Sequence, residues 1–466
     1  MPSDPAKESA IFDLSFSVDS RFRPFHLVAP EFVQVSEPAA APRTDVVRTK
    51  ISPQAPFAAV ELDVEVAGEA GVLAGLATQS GDHVAATYDP IRWQLGIEVR
   101  RTGRTRVLRT KKVVLPETFR FAFVLCENQV TLLADTGEGW RALLAERTKV
   151  SEEVDLREPG TLAGYTYAWG ARRDIGSPTQ LGDVRAGLFG MAGLRDPHLV
   201  QHSDGRPYVR DGKVYLTFTC AGLGFFQQAH WGVFTLDLTD PTRLEQVAQL
   251  YSYRDGLLLG DHAGQVVRDD ENDRWIVATS SWGDFSFDGV HVRHVTTTAD
   301  LLEGVHLLET QPAPLPTSLS SWDAGLTKID GRWHVAFVES PSQDPFDFHP
   351  ALAVAAEGSD WTQGLEMVGA ATDLYQCEGP ILAQVDDQWW LLASDGDSRV
   401  YPVFTLEMRR VGRLDAPYPT NIPHPQILPL EGGGHLMVTF DGTQYDERVL
   451  GYGSHGDVVI MRSDES

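Results

Sequence analysis

The sequence predicts an all-β protein in which a β-sandwich over residues 1–188 precedes a five-bladed β-propeller over residues 189–466. Three observations favour this fold class. The 466 residues include 42 glycines and 28 prolines, which separate many short runs rich in valine, isoleucine, tyrosine and tryptophan. Strand-length runs fill the region from about residue 56 to residue 190. After residue 190 the sequence repeats one outline five times, which is typical of a propeller.

The first region consists of apolar or alternating runs separated by turns such as 80–82, Ser-Gly-Asp. The runs are FAAVELDVEV (57–66), GVLAGLAT (71–78), WQLGIEVR (93–100), FRFAFVLCE (119–127) and VTLLAD (130–135). Two antiparallel sheets packed face to face would bury such a pattern, so a sandwich is predicted. The first 45 residues carry only weak strands, and we assign them to an N-terminal extension of this domain.

Five segments of the second region begin with an acidic or imidazole residue at the head of an apolar strand. These leading residues, at spacings of 65, 62, 55 and 46, are Asp196, Asp261, Asp323, Glu378 and His424. The period suits a four-stranded blade with variable outer loops. Because the heads of inner strands meet at one end of a propeller axis, we expect the five residues to line one pit. Acidic groups gathered in this way are costly unless a cation or a reaction needs them.

Charge and composition exclude several classes of function. The formal net charge is −26, and residues 191–466 carry −23 of it, with 17 basic and 40 acidic residues. A surface that acidic repels phosphate backbones, so no nucleic-acid partner is expected. The chain has no apolar run of about 18 residues, so no membrane partner is expected either. The basic cluster between Arg100 and Lys112 could be a polyanion patch, but the solvated face of a hairpin is favoured.

The cysteines and the first residues bear on the cellular compartment. Cys126, Cys220 and Cys377 have neither a metal-like spacing nor a disulfide framework, and we interpret them as buried thiols in a reducing compartment. The opening residues lack a basic start followed by an apolar stretch, so no secretory signal is visible and a cytoplasmic location is expected. The sequence leaves a homo-oligomer open.

Three strand heads carry more specific motifs. These are Arg195-Asp196-Pro197, the SWDAGL run at 321–326, and the CEGP run at 377–380. In this order, with spacings of 127 and 55 between the acids, they resemble the three acidic motifs of glycoside hydrolase family 43, whose members are built on five-bladed propellers. The resemblance covers residues 190–460. It implies that Asp196 is the general base, that Glu378 is the general acid, and that Asp323 orients and tunes the acid.

The residue types fit this chemistry independently. Cleavage of a glycosidic bond needs a protonated carboxyl beside the leaving oxygen and an ionised carboxylate across the sugar ring. Glu378 would keep its proton if Asp323 lies close, because a neighbouring negative charge favours the neutral form. Arg195 would hold Asp196 ionised, and Asp196 could then deprotonate a water. That assignment gives inversion, whereas carboxyl groups only about 5 Å apart would give direct attack and retention.

Glycoside hydrolase family 32 is a second resemblance. Its members also place three acidic residues on five blades, but their Asn-Asp-Pro-Asn motif is absent here, and Arg-Asp-Pro stands at the first site instead of the middle one. This alternative implies a retaining, fructofuranosidase-like enzyme with Asp196 as nucleophile. The N-terminal region resembles a concanavalin-like lectin domain, whereas accessory sandwiches in both families usually follow the propeller.

The remaining candidate residues are expected to bind substrate around the three acids. Sugar rings present apolar faces, so aromatic platforms are expected at Trp282 and Trp322. The predicted set is completed by Arg195, His198, Asp261, His262 and His424. Asp261 and His262 could instead belong to an axial hydrogen-bond network, and His424 could be an ordinary core histidine. The segment 341–350, PSQDPFDFHP, is expected to form a loop that supplies subsite contacts.

These features predict a glycoside hydrolase, similar to an arabinofuranosidase or xylosidase, that acts on the end of a pentose-containing oligosaccharide by inversion. The pentose would be furanosidic or xylosidic, and no cofactor is required. An alternative of a different class is a non-catalytic, carbohydrate-binding propeller whose carboxylates hold Ca²⁺ at the axis. A scaffold that binds proteins on its rim has little support, because it does not explain the converging acids.

Overall fold

The computed structural model describes residues 10–38, 41–444 and 455–463. Most of these residues form strands, with 59% strand and 5% helix, so the predicted all-β class is confirmed. The two α-helices, α1 (Thr148–Glu153) and α2 (Pro159–Leu162), are short. In the described part of the chain, none of the helices has the length and apolar character needed to cross a bilayer. The three cysteines are buried free thiols, as predicted.

The strands are numbered in chain order. Those up to residue 191 are β1 (Phe16–Phe22), β2 (His26–Glu37), β3 (Val46–Arg48), β4 (Phe57–Val66), β5 (Val72–Ala77), β6 (His83–Asp89), β7 (Gln94–Arg101), β8 (Arg104–Lys112), β9 (Phe119–Cys126), β10 (Gln129–Asp135), β11 (Arg141–Glu146), β12 (Thr166–Gly170) and β13 (Gln180–Met191). Those after it are β14 (Leu194–Leu199), β15 (Gln201–His202), β16 (Val209–Arg210), β17 (Lys213–Cys220), β18 (His230–Asp237), β19 (Leu244–Arg254), β20 (Leu257–Leu259), β21 (His262–Asp269), β22 (Arg274–Ser280), β23 (Val292–Thr297), β24 (Gly304–Glu309), β25 (Gln311–Pro312), β26 (Ser320–Ile329), β27 (Arg332–Gln343), β28 (Phe346–Val354), β29 (Glu366–Ala370), β30 (Cys377–Val385), β31 (Gln388–Asp395), β32 (Tyr401–Phe404), β33 (Arg410–Leu414), β34 (Gln426–Pro429), β35 (His435–Gln444) and β36 (His455–Ser463).

Strands β2 to β13 build the predicted sandwich. Its two sheets have the orders β11-β10-β9-β4-β13-β2 and β3-β12-β5-β6-β7-β8, and they enclose one apolar core. The basic strand β8 lies at the edge of its sheet. There Arg109 and Lys111 donate to the carbonyls of Ala145 and Leu143 in β11, the edge strand of the other sheet. These contacts and the exposure of most β8 side chains agree with the hairpin interpretation of the basic cluster.

Five further sheets form the blades of the predicted propeller. Their inner strands are β14, β21, β26, β30 and β34, and each blade continues outward through antiparallel neighbours. A separate hydrophobic cluster fills each of the five interfaces between neighbouring blades, including the interface between the first blade and the fifth. The blades therefore close into a ring, and the heads of their inner strands face the same end of the axis.

The outermost strand of the fifth blade comes from the other end of the described chain. β1 pairs antiparallel with β36, so this sheet has the order β1-β36-β35-β34. Arg21 and Arg23 hold the strand through ion pairs of 2.7 and 2.5 Å to Asp457. This pairing corrects the assignment of residues 16–22 to the sandwich domain. The physical reason is that β36 would otherwise present an unpaired edge.

The sandwich contacts the loops that lead into the first two blades. Oε1 of Glu127, in the turn between β9 and β10, accepts a hydrogen bond from the amide of Gly260 at 3.1 Å. Gln129 Nε2 donates to the carbonyl of Leu223 at 2.5 Å. Burial raises the pKa of Glu127 well above its ordinary value, as expected for a carboxyl enclosed between two domains.

Deletion of residues 1–22 should destabilise the propeller. The deleted segment includes three buried apolar side chains, those of Ile11, Leu14 and Phe16, whose loss should cost about 5 kcal/mol of unfolding free energy. Urea unfolding should show a lower midpoint, and light scattering should show aggregation through the exposed β36 edge. Deletion of residues 1–9 alone serves as the control. Equal midpoints for the two deletions would contradict the role assigned to β1.

Candidate active site

Each of the first four inner strands carries a one-residue bulge at the same position. The pairing with the next strand shifts register directly after Arg195, His262, Trp322 and Glu378. The residue that follows has a positive φ in every case: 50° at Asp196, 53° at Ala263, 51° at Asp323 and 64° at Gly379. A bulge changes the direction of the side chains at the end of a strand. The bulges therefore allow adjacent residues at the strand heads, such as Arg195 and Asp196 or Trp322 and Asp323, to line one cavity.

Hydrogen bonds between neighbouring blades connect the bulges. The amide of Ala263 donates to Thr219 Oγ1 in the first blade at 3.1 Å. The amide of Asp323 donates to Ser280 Oγ in the second blade at 3.1 Å, and the amide of Gly379 donates to Asp323 Oδ2 in the third blade at 3.2 Å. Three of the four bulges are thus held by the blade before them, which helps to fix the positions of Asp323 and Glu378.

His424 lies among the three predicted catalytic carboxyls. Its Nε2 is 3.5 Å from Asp323 Oδ2, 3.9 Å from Asp196 Oδ1 and 4.0 Å from Glu378 Oε1. These residues come from the first, third, fourth and fifth blades, so the ring closure brings them together. Because Asp196 Oδ1 and Glu378 Oε1 both lie within 4.0 Å of His424 Nε2, these two oxygens are at most about 8 Å apart. This limit admits the separations found in both retaining and inverting glycosidases.

The charges in this cluster give its members different proton affinities. Burial alone would lower the pKa of His424, but Asp323, Glu378 and Asp196 raise it to about 9. Burial alone would raise the pKa of Asp196, but the charges of His424 and Arg195 hold it below its ordinary value. Arg195 Nε is 3.4 Å from Asp196 Oδ2. At neutral pH the cluster therefore contains a cationic imidazole and an ionised Asp196.

Asp323 behaves in the opposite way to Asp196. Burial, reinforced by the negative charges of Glu378 and Asp196, raises the pKa of Asp323 well above its ordinary value, although His424 opposes this effect. The two aspartates thus share a backbone conformation and a cationic neighbour, but their pKa values shift in opposite directions. The positive charge of Arg195, 3.4 Å from Asp196, contributes to this difference.

Trp322 orients the side chain of Glu378. The indole Nε1 of Trp322 donates to Glu378 Oε2 at 3.1 Å. The Glu378 side chain is 21% exposed, whereas the Asp323 side chain is 3% exposed. Glu378 is therefore the most accessible carboxyl of the cluster, and its orientation is fixed from one side.

A cavity of about 330 Å³ opens above the cluster, within the size range of small-molecule sites. It is lined by residues of all five blades. Its polar lining is Arg195, Asp196, His262, Asp323, Gln376, Glu378, Asn421 and His424, and its apolar lining is Phe225, Phe226, Ala263, Trp282, Trp322, Phe346, Phe348, Ile422 and Phe440. The lining thus includes four residues that were predicted to surround the three acids, namely Arg195, His262, Trp282 and Trp322.

Some lining residues were not identified individually from the sequence. Phe346 and Phe348 belong to the segment 341–350, which forms the turn between β27 and β28 and the start of β28, and which was expected to supply contacts. Asn421 precedes the fifth inner strand and Phe440 lies in β35, where no motif marks them. Only the packing of the fifth blade against the others brings these two residues to the cavity.

The prediction that Asp261 joins the acidic cluster is wrong. Its carboxylate is fully buried and accepts hydrogen bonds from Arg254 Nε and Nη2 at 2.7 and 2.8 Å and from the amide of Gly283 at 3.0 Å. The register explains the error, because the position equivalent to Asp196 is Ala263, two residues later. Asp261 instead anchors the loop that carries Trp282.

The prediction that His198 shares the face of Asp196 is also wrong. Alternate residues share a face only along an unbroken strand, and the bulge separates these two. The His198 ring faces a different cavity of about 120 Å³, which it lines together with Gln201, Gln265 and Gln426. Burial, together with the charge of His424, lowers the pKa of His198 to about 3, so the ring is neutral.

The Ca²⁺ ion considered from the sequence stays a prediction. Within residues 10–38, 41–444 and 455–463, no group of three or more His, Cys, Asp or Glu side chains has the arrangement of a metal site. His424 occupies the centre of the acidic cluster and supplies its positive charge.

Comparisons with known proteins give distant structural likenesses. No family model and no curated protein matches the chain. A GH43_1 enzyme from Xanthomonas citri complexed with xylotriose is 15% identical, with 57% of this chain and 88% of that chain covered and a TM-score of 0.41. An α-L-arabinanase from Penicillium chrysogenum complexed with arabinobiose is 10% identical, with 92% and 98% covered and a TM-score of 0.38. A family 32 β-fructofuranosidase from Bombyx mori is 13% identical, with 59% and 61% covered and a TM-score of 0.42. The Xanthomonas citri and Bombyx mori proteins belong to families 43 and 32, the two families whose motifs the sequence resembles.

Substitution Gly379→Ala should displace His424. An added Cβ would lie 2.4 Å from His424 Cδ2, and the φ of 64° already disfavours a side chain. Together these effects should cost about 2 kcal/mol or more of unfolding free energy and shift the ring resonances of His424 in NMR spectra. Gly331→Ala is the matched control, since Gly331 has a φ of 79° and open space around it. Equal costs in the two variants would contradict the close approach of His424.

Substitution His424→Gln should alter the dependence of stability on pH. The pKa of His424 is raised from 6.5 to about 9, so its charged form contributes stability that is complete below pH 6.5 and is lost as the pH rises through 9. The contribution is at most about 3 kcal/mol. Urea unfolding should therefore show the wild type losing more stability than the variant between pH 6.5 and 9. His306→Gln, in β24, is the control, and parallel curves for wild type and His424→Gln would refute the interaction.

Proposed function

We propose that this protein is a glycoside hydrolase that releases a terminal pentosyl residue with inversion, using Glu378 as general acid and Asp196 as general base. One observation carries the proposal. Three carboxyl groups from three blades surround one imidazole at the base of a cavity, and their surroundings lower the pKa of Asp196 but raise the pKa of Asp323. An ionised base paired with a proton donor is the arrangement that glycosidic cleavage requires.

In the proposed reaction, Asp196 accepts a proton from a water molecule, whose oxygen forms a bond to the anomeric carbon. The bond between that carbon and the glycosidic oxygen breaks, and Glu378 transfers its proton to the leaving oxygen. The products are a sugar of inverted anomeric configuration and an alcohol. Solvent then reprotonates Glu378 and removes the proton from Asp196.

Asp323 and His424 act as positioning residues in this scheme. Asp323 accepts a hydrogen bond from the amide of Gly379, which fixes the peptide directly after Glu378. The charge of His424 helps to hold the pKa of Asp196 below its ordinary value and so favours the ionised form of the base. Both residues therefore affect how the acid and the base face each other, without transferring a proton to the substrate.

The motifs and the cavity support a terminal pentosyl residue as the substrate. Arg-Asp-Pro, SWDAGL and CEGP resemble family 43 motifs, and that family implies furanosidic or xylosidic pentosides. A cavity of about 330 Å³ accommodates one sugar ring and the first part of its leaving group. The apolar face of the sugar would pack on Trp282, whose ring contacts Trp322 with a centroid separation of 5.4 Å.

Substitution of either proposed catalytic carboxyl should abolish hydrolysis. A screen of nitrophenyl pentosides and hexosides, with arabinan oligomers and sucrose, should identify a sugar that the wild type releases. Glu378→Gln and Asp196→Ala should then lower kcat by about 10²–10⁴. A dinitrophenyl glycoside should restore activity to Glu378→Gln, because its leaving group needs no proton, but not to Asp196→Ala. Glu366→Gln, an exposed position in β29, is the control.

The configuration of the first product decides between the alternatives. Proton NMR during hydrolysis should show the inverted anomer, and azide should give no glycosyl azide of retained configuration. A retained first product would instead assign Asp196 as a nucleophile. Sugar binding by calorimetry without hydrolysis of any glycoside would overturn the proposal in favour of a binding propeller.

A further inference from the structure

A continuous wall of aromatic rings begins at the proposed acid. Trp322, which donates to Glu378, contacts Phe348 with a centroid separation of 5.4 Å, and Phe348 contacts Phe346 at 6.3 Å. Phe346 in turn packs against Phe285, with nearly parallel rings at 6.1 Å. We name these residues, together with Phe287, the aromatic wall. The acid therefore lies at the inner end of a row of packed rings, of which Trp322, Phe346 and Phe348 line the cavity.

The wall is attached to the strand that carries the acid. The amide of Phe348 donates to the carbonyl of Tyr375 at 3.0 Å, and Gln376 Nε2 donates to the carbonyl of Phe346 at 2.6 Å. Gln376 lies two residues before Glu378 in the sequence. The wall and the acid therefore keep a fixed distance from each other.

The outer end of the wall reaches solvent at Phe287. This side chain is 54% exposed, and its ring lies 4.6 Å from that of Phe285 and 6.2 Å from that of Phe346. Its φ of 64° is an unfavourable conformation for a bulky residue. Backbone strain of this kind is often found at functional positions.

Two glutamine amides near the wall donate hydrogen bonds to backbone carbonyls of the wall and of Tyr375. Gln376 Nε2 donates to the carbonyls of Phe346 and Tyr375, and Gln227 Nε2 donates to the carbonyl of Phe285. The wall consists of four phenylalanine side chains, which carry no hydrogen-bonding atom, and the indole N–H of Trp322, which Glu378 already accepts. A second sugar unit placed here would exchange its hydration for contacts with phenyl rings.

A general acid protonates the leaving oxygen, so the leaving group lies on the side of the acid. On the proposed function, that side is the aromatic wall. We propose that the leaving group of the natural substrate is an apolar alcohol containing an aromatic ring, so that the substrate is a pentoside of such an alcohol. In this proposal the aromatic alcohol takes the position of a second sugar unit, so the substrate differs from the oligosaccharide that the sequence predicts.

The proposal is tested with glycosides whose leaving groups differ in surface and not in acidity. The 2-phenylethyl and methyl glycosides of the sugar found in the nitrophenyl screen meet this condition, because both leaving groups are aliphatic alcohols. The wild type should show a kcat/KM for the 2-phenylethyl glycoside at least about tenfold above that for the methyl glycoside. It should also exceed the kcat/KM for a disaccharide of the same sugar.

Variants of the wall should lower this preference. In Phe287→Asn, whose new residue tolerates positive φ, and in Phe346→Ser, the ratio of the two kcat/KM values should fall to about threefold or less. The ratio is independent of the folded fraction of each variant. Tyr375→Ser is the matched control, since this aromatic side chain is 59% exposed beside the same strand but, among the described residues, its ring packs against none of the rings of the aromatic wall. It should keep the wild-type ratio.

The outcomes distinguish three claims: the apolar leaving group, the role of the aromatic wall and the glycosidase activity. Equal kcat/KM for the methyl and 2-phenylethyl glycosides, or a preference for the disaccharide, would overturn the apolar leaving group while leaving the glycosidase intact. An unchanged ratio in both wall variants would overturn the role of the wall. Absence of hydrolysis of every glycoside would overturn the proposed function, and with it this inference.

Discussion

The site depends on one buried cation held among three carboxyl groups. Without the imidazolium of His424, burial of Asp196, Asp323 and Glu378 within 4.0 Å of a common point would leave their negative charges uncompensated. The cation does not act equally on all of them. Arg195 adds a second positive charge at Asp196, whereas Asp323 is the most enclosed carboxyl of the three. One compact cluster therefore contains one aspartate whose pKa is lowered and another whose pKa is raised.

The bulges explain how a regular propeller positions this irregular set of side chains. The same backbone deformation occurs at the head of four inner strands, and the amides of three bulges bond to the preceding blade. Aspartate and glycine accept positive φ more readily than most residues, which suits them to the second bulge position. Different side chains on this repeated frame give the cavity a base, an acid and an indole that orients the acid.

The two sides of the carboxyl cluster differ in polarity. The aromatic wall extends from Glu378 to solvent, whereas Arg195 and His424 lie against Asp196. The sandwich contributes indirectly, because Gln129 holds the loop that leads to Phe225 and Phe226, and Glu127 holds the segment before Asp261. In the described chain, all residues that line the cavity belong to the propeller. The sandwich domain therefore supports the loops that shape the cavity, and the residues proposed to carry out the reaction belong to the blades.

The sequence by itself determined the all-β class, the five repeats and the convergence of Asp196, Asp323 and Glu378, because strand heads spaced one blade apart must meet at the axis of a ring. It could not decide which residue at each head faces the cavity, since one inserted residue turns the following side chains to other faces; His198 and Asp261 show this. The pairing of β1 with β36, the protonation of the aspartates and the aromatic wall also required the tertiary structure. Each depends on partners far away in the chain, and burial and neighbouring charge exist only once those partners are in place.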